Sequence, residues 1–184
     1  MKVETLPTER SVWKLDPHHG ELTFKVKHLM ISSVTGRFKV FDITAEFESD
    51  DFTRLVQTTV TADIDSIDTN NYQRNYHLLS ADFFNSQEYK QLIFQGPKFE
   101  GNAAGGKLFG RLTIRGVTKN IVLTVEFGGK ITDPYGQIKA GFSVDGKIGR
   151  KEFGLTWNAL TETGGAVVGD EVIIHAEIEL TKQL

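Results

Sequence analysis

The chain has 184 residues, 39% of them hydrophobic and 24% charged, a balance and size that suit one globular domain. Its formal charge of -3 argues against the basic stripe of a nucleic-acid-binding surface, so nucleic acid is not an expected partner. The absence of cysteine excludes disulfides, a thiolate nucleophile and a Cys-ligated zinc site.

Residues 1–11 read as a polar lead-in and residues 12–184 as a single domain. The start of the chain holds no apolar run of signal-peptide length, and no later segment suits a bilayer span. The expectation is a cytoplasmic protein without an integral membrane segment, or a periplasmic one if a leader has been removed.

Ser11–Asp16 predicts a short strand that Pro17 closes, with His18-His19-Gly20 turning the chain. In Glu21–His28, Leu22, Phe24 and Val26 share one face while Glu21, Lys25 and Lys27 share the other. Successive strand side chains point to opposite faces, so this is a sheet with one apolar and one wet face. His28–Ser33 breaks the alternation and suits one helical turn. Strand pattern resumes over Val34–Lys39, Phe41–Phe47 and Thr58–Ile67. Residues 70–79 predict one short helix, with Thr69 or Asn70 as N-cap and Tyr72, Tyr76 and Leu79 at helical spacing.

Further strands are expected at Gln91–Gln95, Lys107–Ile114, Asn120–Ile131, Gln137–Ile148 and Glu171–Lys182. Gly105-Gly106, Gly128-Gly129 and Asp133-Pro134-Tyr135-Gly136 read as turns between them. So many half-apolar strands need a common interior. The pattern predicts an all-β protein, an antiparallel barrel of about eight strands that either fills its interior or holds one ligand. Thirteen phenylalanines fit both outcomes.

Catalytic signatures are missing. Gly141-Phe142-Ser143-Val144-Asp145 ends in Asp where a nucleophile elbow needs Gly. Gly164–Gly169 fails the dinucleotide spacing, and Asp63, Asp65 and Asp68 lack calcium-loop spacing. Adjacent His18 and His19 point apart in an extended segment. His19, His28 and His77 show no ligand-pair spacing, so neither a catalytic residue, a metal nor a cofactor is expected.

A series of local patterns recurs in a specific order. It opens with Trp13-x-x-Asp16-x-x-His19-Gly20-x-x-x-Phe24-x-Val26-x-His28 and continues through Val34-x-Gly36-x-Phe38 and Ser66-Ile67-Asp68-Thr69. Arg74-x-x-His77-Leu78 and Asp82-Phe83-Phe84 follow. The second half supplies Gly110-x-Leu112-Thr113-Ile114-x-Gly116-Val117-Thr118, Arg150-x-x-Phe153-Gly154-Leu155 and Val168-Gly169-Asp170-x-Val172. Over about residues 12–180 the chain resembles the YceI-like family, although Gly20 stands where that family more often has Ser. The resemblance implies a lipocalin-like barrel with an elongated apolar tunnel for polyisoprenoids or related long-chain amphiphiles.

On that reading the ligand is a long-chain lipid, and strand parity names Leu22, Phe24, Val26, Phe38, Phe41, Ile43, Val60, Ile64, Leu112, Ile114, Phe142 and Val144 as wall residues. His28 falls on the same face as Phe24 and Val26, at the rim or inside, and Trp157 closes one end. Asp68, Arg74, His77 and Arg150 are the head-group candidates, since a planar guanidinium suits phosphate. Their structural alternative is an Asp68–Arg74 ion pair or helix cap, and for Arg150 an acid partner that pins a loop. Two other functions stay open: a lipid-processing enzyme or metal-dependent protein using mouth histidines and carboxylates, and a filled barrel serving as an interaction module. Exposed strand edges would allow a homodimer.

Overall fold

The structure, a computed structural model, describes residues 9–184; most of the lead-in expected over residues 1–11 lies outside them. Its strands are β1 (Arg10–His28), β2 (Ser32–Phe38), β3 (Phe41–Glu48), β4 (Leu55–Asp63), β5 (Ile67–Asp68), β6 (Gln91–Asn102), β7 (Gly105–Ile114), β8 (Val117–Thr132), β9 (Ile138–Gly149) and β10 (Val168–Lys182). The α-helix α1 spans Tyr72–Leu79, and 3-10 turns lie at Ile64–Ser66 and Arg150–Phe153. All the strand pairs are antiparallel.

Neighbouring strands follow the order β10-β9-β8-β7-β6-β4-β3-β1-β2-β5, and β10 pairs back onto β1. β3 pairs with the first residues of β1 and β2 with the last, so together they behave as one interrupted strand. The result is the expected closed eight-stranded barrel. One end carries the β1–β2 and β7–β8 turns, α1 and the long 150–167 segment, and is called the cap end below.

Local departures from the sequence reading have identifiable causes. Pro17 does not end β1. It lies in a bulge where Leu15 faces Leu180 and Gly20 already faces Ile178, a place where a missing N–H is tolerated. His28–Ser33 is a tight hairpin rather than a helical turn, with Leu29 at φ 51° and Met30 at φ 60°. Gly128-Gly129 is a bulge within β8, not a turn, and Gly105-Gly106 opens β7. β4 ends at Asp63, and Ile64 starts the 3-10 turn. The helix cap is Asn71, whose Oδ1 accepts the Arg74 N–H at 2.9 Å, because Asn70 adopts φ 57°.

The interior holds three apolar clusters. One joins Phe83, Phe94, Leu112, Ile114, Leu123, Ile148, Phe153 and Leu155 towards the cap end. A second, at the other end, gathers around Trp13, Phe47 and Leu180. The third packs Phe38, Ala62, Ile64 and Ile67 under β5.

An apolar cavity as the candidate functional site

Between these clusters the barrel leaves a cavity of about 220 Å³. That exceeds the roughly 150 Å³ apolar void that stays dry and accepts benzene in an engineered core. Its wall comes from nearly every strand, with Leu78 of α1 and Phe83 and Phe84 of the following loop closing it at the cap end. Of the residues named from sequence, Leu22, Phe24, Val26, Phe38, Phe41, Ile43, Val60, Leu112, Ile114 and Val144 lie on this wall.

Glycine shapes the wall at the β1–β2 pair. Gly36 faces Phe24 across the hairpin, and a Cβ there would come within 2.3 Å of the Phe24 ring. Only a residue without a side chain lets the far end of that ring come so close to the strand.

Three polar residues reach the wall: Thr23, Thr58 and Arg150. The hydroxyls of Thr23 and Thr58 donate to the carbonyls of His175 and Thr44 at 3.2 and 3.3 Å. Arg150, with 3% of its surface exposed, donates from Nε to the Gly169 carbonyl at 2.8 Å and from Nη1 to those of Leu155 and Trp157. Asp170 stands 3.7 Å from its Nη2, and burial pushes the guanidinium pKa down from its ordinary value. Arg150 thus pins the 150–169 segment mainly through backbone oxygens, with one acid at longer range. Buried polar groups need such partners, and here they leave a wall with little hydrogen-bonding capacity to offer a ligand.

Four wall candidates lie elsewhere. Ile64 is buried with Phe38 and Ala62 because the chain leaves strand geometry there. Phe142 lines a second cavity of about 90 Å³ at the opposite end, together with Phe47, Phe52 and Phe127. Ile43, Thr58, Leu108, Val144 and Ile178 border both spaces and form the partition between them. Trp157 packs outside the wall, its ring 4.6 Å from His77 and 5.4 Å from Phe83. His28 ends β1 at the hairpin, off the wall.

Asp68, Arg74 and His77 are also off the wall. The Asp68–Arg74 pair does not form. Asp68 accepts from the Asn70 N–H and Asn75 and pairs with Arg37 at 3.5 Å, which holds its carboxyl below the usual carboxylate range. Arg74 donates to the hydroxyl and carbonyl of Thr69 at 2.9 and 2.7 Å. His77 Nε2 meets Asp82 at 2.8 Å. These groups build the cap.

Sequence reasoning missed Phe94, Leu123, Val172, Ile174, Ala176 and Ile178 on the wall. The alternation of Val172, Ile174, Ala176 and Ile178 within β10 carries the signal for four of them. Phe83 and Phe84 have no local periodicity, and only the fold-back of their loop brings them in.

His19, His28 and His77 do not converge. Among the described residues, the one histidine–carboxylate cluster with metal-ligand proximity is Asp16, His19 and Glu179. The Lys139 ammonium already joins Asp16 and Glu179 there, 3.3 Å from the latter, and supplies the positive charge. Its hydrogen bond drives the Asp16 pKa far below the carboxylate range and raises that of Lys139.

The model of the YceI-like domain family matches residues 13–180. This chain belongs to that family. A UPF0312 protein of Staphylococcus epidermidis is 37% identical over 170 residues, covering 92% of this chain and 96% of its own length. A UPF0312 protein of Staphylococcus aureus is 37% identical over 167 residues, covering 90% and 95%. Among solved structures, the Campylobacter jejuni YCEI protein is similar with a TM-score of 0.74 and 36% identity, over 87% of this chain and 91% of that one. A polyisoprenoid binding domain from Saccharophagus degradans shares the fold, with a TM-score of 0.63 and 16% identity over 93% and 98%.

Proposed function

We propose that this YceI-like barrel is a non-enzymatic binding protein that sequesters or carries a long-chain amphipathic lipid: a polyisoprenoid, an isoprenoid quinone or a fatty-acid derivative. The reading rests on one observation, a cavity of about 220 Å³ whose few polar groups already have partners in the protein. Each methylene that such a wall removes from water contributes about 0.8 kcal/mol, so a chain of several isoprene or acyl units binds without polar contacts. The Saccharophagus degradans neighbour, described as a polyisoprenoid binding domain, supports the prenyl class through a shared fold.

A binding role is favoured over chemistry on the lipid because the cavity wall carries no histidine or carboxylate among the described residues. Native mass spectrometry of gently purified protein, followed by organic extraction, tests the reading. A stoichiometric long-chain adduct is expected. A clean apo mass that persists after incubation with prenyl and acyl lipids overturns it.

A further inference from the structure

The β1–β2 hairpin ends in Leu29-Met30-Ile31, with Met30 62% and Ile31 85% exposed. The Ile31 N–H donates to the His28 carbonyl at 3.2 Å, and both central residues of that turn have positive φ. Asn-Gly is the inexpensive solution for such a turn, since a branched or long side chain is strained in the left-handed region. Here the strained positions carry Leu and Met. Neither turn geometry nor core packing calls for apolar side chains at that point, and strain kept against both points to a use outside the fold.

The surroundings identify that use. The Leu29 N–H donates to the Val167 carbonyl at 2.8 Å, which ties the tip to the 159–167 loop where Leu160 is 77% exposed. Tyr72 and Tyr76 stand exposed on α1 at the same end of the barrel. Below the tip, Lys25 and Lys27 point outward from β1 and make no ion pair among the described residues. The acids of the adjoining strand are taken by other cations, Glu171 by Lys147 at 3.2 Å and Asp170 by Lys151 at 3.1 Å. Glu162 is an acid on the neighbouring loop itself. An apolar tip above unpaired lysines is the arrangement that seats in a lipid interface with anionic head groups, and exposed tyrosines at the same end of the barrel suit the boundary between head groups and acyl chains.

We propose that Leu29-Met30-Ile31, with Leu160, docks the cap end of the barrel onto an anionic lipid bilayer. Val26 on β1, just below the tip, and Val168 at the start of β10, which faces His28 at the hairpin base, both line the cavity, so docking sets this side of the cavity wall next to the leaflet. The inference deepens the lipid-binding reading and rests on it for its purpose.

Co-sedimentation with phosphatidylglycerol–phosphatidylcholine vesicles tests it, with pure phosphatidylcholine vesicles alongside. The full chain is expected to bind the anionic vesicles and to be released by salt. Met30→Asp/Ile31→Asp weakens binding at least tenfold, and Lys25→Glu/Lys27→Glu abolishes the preference for anionic lipid. Leu29→Asn/Met30→Gly relaxes the turn, so it is expected to raise thermal stability while still losing vesicle binding, a result that misfolding cannot produce. Wild-type protein that ignores vesicles yet accepts a prenyl lipid from cyclodextrin overturns docking and leaves the cavity reading standing. Wild-type protein that binds vesicles yet takes up lipid from neither source supports docking and overturns the cavity reading. A concentration-dependent dimer that Met30→Asp/Ile31→Asp dissociates, without vesicle binding, assigns the tip to a second copy and overturns docking.

Discussion

Arg150 shows how one side chain decides the shape of the cap end. Its guanidinium serves the carbonyls of Leu155, Trp157 and Gly169, three points on a segment that would otherwise lie loose over the cavity. Arg150→Met keeps much of the volume but strands those oxygens in a buried site. The expected loss is about 3 kcal/mol or more in urea denaturation, given about 1–3 kcal/mol for each unsatisfied buried group. Arg150→Lys is expected to recover only part of it, because an ammonium lacks the fixed fork. Asp16 is legible at the same scale as a motif residue, but its partner Lys139 lies on β9, and only barrel closure brings them together. Because the Asp16 carboxyl titrates far lower in the folded protein than its ordinary value of 3.8, its contribution is complete above about pH 4. It is lost as pH falls below that. Wild-type urea midpoints at pH 3 and pH 6 should therefore differ by more than those of Asp16→Asn.

At the level of elements, period-two alternation located the strands because one face of each is buried and the other wet. Alternation cannot report where two strands join through a bulge, so β1 reads as two pieces around Pro17 although its pairing with β10 continues on both sides. Wall residues on regular strands were legible for the same reason that Ile64 was not: parity holds only while the chain stays extended. The head-group candidates Arg74 and His77 lie off the wall for a different reason. Arg74 and His77 have the right chemistry, but Thr69 and Asp82, close in sequence, satisfy them first. The β1–β2 pair offers a test of the cavity at this scale. Gly36→Ala drives a methyl group into the Phe24 ring and pushes that ring into the space. It is expected to cost about 1–3 kcal/mol in stability through overpacking. Lipid affinity should fall with it, as read by titration with a fluorescent prenyl or acyl probe. Unchanged affinity would place the lipid away from Phe24.

Across the whole molecule, family similarity runs through residues 13–180, so it spans every strand that lines the cavity rather than one local motif. The pairing that closes the ring has a consequence for how the protein comes to exist. β1 is made first and β10 last, yet these two hold each other along most of their length, from Trp13 against Lys182 to His28 against Val168. Contacts so distant in sequence must bear their loop-closure entropy before they return any stability, which makes such topologies slow to fold. Until the final strand leaves the ribosome the barrel is an open trough. During synthesis its greasy inner face lies bare along one side, and the finished protein owes its closed interior to the fifteen residues of β10.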